Sequence, residues 1–80
     1  MEIEEIYATL GGVFREVFGD HAPELSADMT AEDVDGWDSL NHVRLIIAVE
    51  RAFSVRFSTR EITGLKNVGD LANVILGKQV

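Results

Sequence analysis

Apolar side chains recur every three or four residues in three stretches of this chain, and this spacing restricts it to a helical fold. The stretches are 3–17, 40–53 and 68–76. Residues at this spacing lie on one face of a helix, whereas the faces of a strand alternate at every residue. A chain of 80 residues buries only about 60% of the surface that it exposes when unfolded. We therefore expect one all-α domain over residues 1–80, with a thin core.

Capping residues and glycines predict where the helices begin and end. The expected segments are the N-terminus to about Gly19, 39–53, Ser58 to Gly64 and Asn67 to Gly77. Ser58 and Glu61 have the spacing of a capping box, and a glycine commonly follows the end of a helix. The prediction is a small four-helix bundle in which the third helix is short.

The segment from Gly19 to Asp38 lacks helical periodicity and forms a long loop between helices one and two. It is longer than most connections in compact domains, so we expect it to be pinned to the bundle. Its isolated apolar residues are Leu25, Met29, Val34 and Trp37, and Trp37 is the main candidate for the pin. The loop also contains Asp28, Glu32, Asp33, Asp35 and Asp38. Their spacing is not that of an EF-hand, so we expect a solvated acidic face and no metal site.

Composition and charge exclude several functions. The absence of cysteine excludes disulfides, a thiolate nucleophile and Cys-based metal sites. Fourteen acidic residues against seven basic ones give a net charge of -7, which argues against nucleic-acid binding. No apolar run approaches the roughly 20 residues that cross a bilayer, and the acidic start does not resemble a signal peptide. We expect a cytoplasmic monomer with no membrane span.

Ser39 lies where the long loop meets the first turn of helix two. Unpaired backbone N–H groups and the helix dipole at such a position stabilise an attached phosphate. One alternative is that Ser39 simply caps the helix. Another is that Ser39 is a nucleophile with His42 as its base, but the chain has no nucleophile elbow and little bulk for a pocket. We expect His42 to be an exposed residue that touches an attached group or a partner.

The residues around Ser39 resemble the modification motif of the acyl carrier protein family. The motif is Asp-Ser-Leu after a glycine and an apolar residue, and it corresponds to Gly36, Trp37, Asp38, Ser39 and Leu40. The likeness continues through Val43, Leu45, Glu50, Phe53, Val68, Asp70 and Leu71. It implies a bundle of the acyl carrier type and a non-catalytic carrier. A phosphopantetheinyl transferase would attach 4'-phosphopantetheine from coenzyme A to Ser39, and Asp38 would help that transferase hold its metal.

The resemblance also implies that the arm holds an acyl group as a thioester, and that helix two docks on the acyl-loading and acyl-transferring enzymes of one pathway. The expected docking residues are Leu40, Asn41, Val43, Arg44, Ile47, Glu50 and Arg51. Carriers of fatty acid synthesis usually present acids on this side, but here Asn41, Arg44 and Arg51 interrupt them. Because charge selects partners, we expect a specialised carrier for a dedicated fatty acid, polyketide or modified lipid pathway. The alternative is that the two arginines pair with acids such as Glu50 or Asp38.

Two other functions remain open at this point. The first is an aminoacyl or peptidyl carrier, although that branch usually has a glycine and a His or Asp before the serine. The second is an unmodified helical adaptor that docks through the apolar side of helix two. An adaptor would tolerate Ser39→Ala, whereas a carrier would lose its function.

Overall fold

The computed structural model describes residues 2–20, 22 and 24–79, and the regular secondary structure in that part of the chain is entirely helical. The elements are α1 (Ile3–Phe18), a 3₁₀ turn (Ala31–Asp33), α2 (Ser39–Phe53), α3 (Thr59–Thr63) and α4 (Val68–Lys78). The predicted four-helix bundle with a short third helix and a long first loop is confirmed. The expected end of the last helix at Gly77 is wrong by one residue, because Lys78 is still helical and Gln79 is the C-cap.

The core is formed by the apolar faces of three helices, with α1 packed against both α2 and α4. The buried cluster contains Ile6, Leu10, Val13, Phe14, Leu45, Ile46, Val49, Phe53, Val68, Leu71, Ala72 and Ile75. Within each helix these residues recur at the three- and four-residue spacing seen in the sequence. The short helix α3 contributes no buried residue, and its partly buried Ile62 packs against the cluster.

The long loop is pinned to this core, as predicted. Val34 is buried, and Leu25, Met29 and Trp37 pack against the core cluster. A second attachment joins the loop to the start of α4, where Val68 N donates to Met29 O at 2.9 Å and Gly69 N to Ala27 O at 2.8 Å. The first N–H groups of a helix have no partner within the helix, so the loop carbonyls satisfy them.

Candidate functional site

Asp38 is the N-cap of α2. Its Oδ1 accepts a hydrogen bond from Asn41 N at 2.9 Å, and its backbone carbonyl accepts one from His42 N at 2.8 Å. Ser39 is therefore the first residue inside the helix. The alternative in which Ser39 itself caps the helix is wrong, because the extended backbone at Asp38 directs the aspartate toward the free N–H group.

Ser39 is exposed, and its hydroxyl makes no hydrogen bond to any described residue. The backbone N–H groups of Ser39 and Leu40 also lack an acceptor in the described part of the chain. They lie at the positive end of a helix of 15 residues, where an anion is stabilised. A phosphodiester on Ser39 Oγ fits this environment because it would bring its charge next to unpaired donors.

A tight turn at Gly36 brings the loop into α2. Gly36 has a φ of 89°, which glycine adopts at no steric cost and other residues rarely do. Its carbonyl accepts hydrogen bonds from Asp38 N at 3.0 Å and from Asn41 Nδ2 at 2.6 Å. The Asn41 side chain is thus used inside the molecule, where it holds the turn against the helix.

Trp37 and His42 flank Ser39 and contact each other. Trp37 Nε1 donates to His42 Nδ1 at 3.0 Å, and the rings stack with centroids 6.1 Å apart and an angle of 18°. On its other side Trp37 meets Phe14 edge-on at 5.3 Å, so the predicted pin is confirmed. The expectation that His42 is exposed is wrong, since the contact with Trp37 leaves it half-buried.

This pairing also argues against the hydrolase alternative. An imidazole that accepts through Nδ1 carries its proton on Nε2, so it has no free lone pair to take a proton from a nucleophile. In addition, no hydrogen bond joins Ser39 and His42 in the structure. His42 therefore acts as a structural partner of Trp37.

An open cleft of about 510 Å³ lies beside Ser39, between the start of α2 and helix α3. Its lining includes Trp37, Ser39, His42, Ile62, Thr63 and Leu65. The cleft is shallow, and its lining is mixed in polarity.

The expected docking residues divide into two groups. Leu40, Val43 and Ile47 are 63%, 53% and 46% exposed, and their spacing places them in one apolar stripe on the outer side of α2. Arg44 and Arg51 are also exposed. Asn41 and Glu50 make contacts inside the molecule, and the Glu50 Oε2 atom accepts a hydrogen bond from Phe57 N at 2.8 Å.

Neither arginine pairs with Glu50 or Asp38. Across residues 2–20, 22 and 24–79 the ion pair within 4.0 Å is that of Lys78 with Glu61, at 3.0 Å. The alternative in which Arg44 and Arg51 merely neutralise nearby acids is therefore not observed.

Within the described residues, no group of three or more His, Asp or Glu side chains is arranged to hold a metal ion. None of the helices there has both the length and the apolar character that crossing a membrane requires.

The fold is that of an acyl carrier protein. The solution structure of a holo acyl carrier protein from Geobacter metallireducens superposes with a TM-score of 0.86 and 39% sequence identity, covering 92% of this chain and 85% of that one. The family model for the phosphopantetheine attachment site matches residues 8–75. The chain belongs to this family.

Curated relatives are similar over most of their length. The acyl carrier protein of Rhodococcus erythropolis is 33% identical over 72 residues, which are 90% of this chain and 79% of the relative. The meromycolate extension acyl carrier protein of Mycolicibacterium smegmatis is 31% identical, over 90% of this chain and 73% of its own. The acyl carrier protein of Prochlorococcus marinus is 29% identical over 99% of both chains. The chain is a non-catalytic carrier with a covalently attached 4'-phosphopantetheine arm.

Proposed function

We propose that Ser39 bears the arm, which holds an acyl group as a thioester between the enzymes of one pathway. The observation that carries this proposal is the placement of Ser39 one residue inside α2, exposed, with its hydroxyl free of the capping role that Asp38 fulfils. The position falls inside the family match over residues 8–75. The arm itself supplies the thiol on which the acyl group travels.

Asp38 would serve the attachment reaction as well as the helix. Its Oδ1 is engaged by Asn41 N, but its side chain is exposed and its second oxygen accepts no hydrogen bond from the described residues. That oxygen would be available to the metal of a phosphopantetheinyl transferase while Ser39 Oγ attacks the pantetheine-side phosphorus of the coenzyme A pyrophosphate. The attack would form the Oγ–P bond, break the pyrophosphate P–O bond and release adenosine 3',5'-bisphosphate and the hydroxyl proton. Carboxylate oxygens are the ligands that magnesium prefers.

The outer side of α2 is the proposed docking surface for the enzymes that load and transfer the acyl group. It presents the apolar stripe Leu40, Val43 and Ile47 on the helix that begins at Ser39. The exposed Arg44 and Arg51 favour a dedicated fatty acid, polyketide or modified lipid pathway over general fatty acid synthesis, because they would repel basic partner patches. A cytoplasmic location and a monomeric state stay predictions.

The relatives favour an acyl cargo over an aminoacyl or peptidyl one, since those named above are acyl carriers. The unmodified adaptor is disfavoured by membership of a family defined by its attachment site. If the chain were an unmodified adaptor, the exposed stripe on α2 would be its functional surface and Ser39 would be dispensable.

Intact mass measurement tests the attachment site. The purified chain is incubated with coenzyme A, magnesium and a broad-specificity phosphopantetheinyl transferase, beside the variants Ser39→Ala and Ser26→Ala. Ser26 is a matched control because it is an exposed serine in the same loop region. We expect the wild type and Ser26→Ala to gain one phosphopantetheine unit and Ser39→Ala to gain none. A gain by Ser39→Ala would place the arm elsewhere and overturn the proposal.

A further inference from the structure

Two arginines that form no ion pair with a described residue lie beside the exposed apolar stripe of α2. Arg44 and Arg51 are seven residues apart, which puts them on the same side of the helix with a rise of about 10.5 Å between them. Ile47, which is 46% exposed, lies between them. All three line a groove of about 490 Å³ against α1.

Among the described residues, no acid forms an ion pair with either arginine within 4.0 Å. Glu50 points to the 55–57 loop, where its Oε2 atom accepts a hydrogen bond from Phe57 N at 2.8 Å. Among the described residues that line the groove, Glu16 of α1 is the acid, and it forms no ion pair with either arginine at the 4.0 Å limit. The lining residues of the groove thus carry two positive charges against one negative charge, on a protein whose net charge is -7.

An exposed apolar stripe with a charged edge is typical of a surface that a partner covers. Guanidinium groups bind carboxylates through two parallel hydrogen bonds, and they are more easily desolvated than an ammonium group. A partner that covers Val43 and Ile47 must also contact both arginines. Carboxylates at the edge of the partner surface would raise the binding affinity, and lysines or arginines there would lower it.

We infer that the docking surface of the partner enzyme is acidic, with an apolar hollow for Val43 and Ile47 between carboxylates that bind Arg44 and Arg51. This inference rests on the proposed function, because it takes the occupant of the face to be an enzyme that must reach an arm on Ser39. Charge complementarity supports it, since the two arginines border the apolar stripe on the same helix. The carrier would therefore bind only weakly to the basic docking patches of enzymes that bind acidic carriers.

A charge-swap experiment tests the inference. The probe is a malonyl transferase of fatty acid synthesis with a basic docking patch, used in its native form and in a form whose patch lysines and arginines are changed to glutamate. The substrates are the holo chain, the double variant Arg44→Glu with Arg51→Glu, and the matched control Arg56→Glu with Arg60→Glu. The control makes the same change in net charge at two exposed arginines that lie outside α2.

The measured quantity is kcat/KM for malonyl loading at low ionic strength, with the loaded chain quantified by intact mass spectrometry. We expect the wild type and the control to load faster on the acidic enzyme form, by about tenfold, and the Arg44/Arg51 variant to prefer the basic form. Glu16→Gln should strengthen the preference of the wild type for the acidic form, because it removes the Glu16 carboxylate from the lining of the groove. Added salt should reduce each preference.

An equal preference of the Arg44/Arg51 variant and the control would overturn the inference. It would also be overturned if sedimentation equilibrium showed a wild-type dimer that the Arg44/Arg51 variant cannot form, because the occupant would then be a second copy of the chain. Conversion to the holo form is measured on each sample first. A chain that takes up no arm contradicts the proposed function, whereas a holo chain without charge preference contradicts this inference alone.

Discussion

The indole Nε1–H of Trp37 donates a hydrogen bond to Nδ1 of His42 over 3.0 Å, and Ser39 lies between these two residues in the sequence. Trp37 ends the long loop and contacts Phe14 and Phe18 of α1 at centroid distances of 5.3 and 6.0 Å. His42 belongs to the first turns of α2. The pair thus ties the start of α2 to α1 and holds the serine at a defined point on the surface.

Replacing Trp37 by Phe should weaken the fold modestly. The phenyl ring can still pack against Phe14, but the N–H donor to His42 is lost. We expect the free energy of unfolding to fall by about 1 kcal/mol, the usual net contribution of such a hydrogen bond. Urea denaturation followed by far-UV circular dichroism measures it. Tyr7→Phe is the control, because the Tyr7 hydroxyl has no hydrogen-bond partner among the described residues; equal stability of the two variants would contradict the role of the Trp37–His42 bond.

Two substitutions at Asp38 separate its capping role from its proposed role in arm attachment. Asparagine also has a capping oxygen, so Asp38→Asn should keep nearly the full stability, whereas Asp38→Ala should lose about 1 kcal/mol. Both variants lack the carboxylate that would assist the metal of the transferase. We therefore expect both to take up the arm more slowly in a mass-based time course. Attachment to Asp38→Asn at the wild-type rate would show that the carboxylate serves only the helix.

Gly69 and Gly77 of α4 should respond to alanine in opposite directions. A Cβ atom on Gly69 would lie 2.9 Å from Ala27 O and 3.2 Å from Ala27 Cβ, whereas one on Gly77 would meet nothing within 4 Å. Gly69→Ala must displace the loop that bonds to α4, and we expect a loss of about 1–3 kcal/mol as for other overpacked sites. Gly77→Ala should gain up to about 1 kcal/mol from helix propensity. Thermal or urea unfolding compares the two, and a stabilised Gly69→Ala would contradict the close packing.

The Glu61 carboxylate should make stability depend on pH. Its Oε1 accepts from Ser58 N at 2.8 Å and pairs with Lys78 Nζ at 3.0 Å. The hydrogen bond from Ser58, and then Lys78, lower the Glu61 pKa from its ordinary value of 4.5. A carboxyl whose pKa is lowered by folding stabilises the protein above its ordinary pKa, and this contribution is lost as the pH falls through the lowered value.

Lys78→Met should raise the Glu61 pKa toward 4.5, which an NMR titration of its side-chain carboxyl carbon measures. The stability difference between this variant and the wild type should shrink as the pH falls below the lowered pKa. Lys66→Met removes a lysine that forms no ion pair with a described residue, so it should leave the titration unchanged. An identical Glu61 titration in Lys78→Met and the wild type would contradict the ion pair.

The helices could be predicted from the sequence because each has an apolar face that must be buried, and the core confirms those faces. Ser58 and Glu61 form the capping box that their spacing indicates. The loop contained a similar signal that sequence analysis missed, since Thr30 and Asp33 form a capping box around the 3₁₀ turn. Gly77 was a poor marker of the helix end because glycine only weakens a helix, and Lys78 continues it.

The details of the site depend on the path of the loop, which local patterns do not determine. Asp38 and Ser39 are both capping residue types, and only the extended backbone at Asp38 selects between them. His42 was predicted to be exposed because the sequence does not reveal that Trp37 folds over it. Glu50 has the appearance of a docking acid on α2, but the 55–57 loop passes close enough for Phe57 N to bind it. Such contacts between distant segments appear only in the folded chain.

Locating the arm on the modified chain tests the central claim most directly. Trypsin should release residues 16–44 as one peptide that contains Ser26, Thr30 and Ser39, and tandem mass spectrometry can assign the phosphopantetheine to one of them. We predict fragment ions that carry the arm on Ser39 alone. An arm on Ser26 or Thr30, or a chain that stays unmodified with several transferases, would contradict the account.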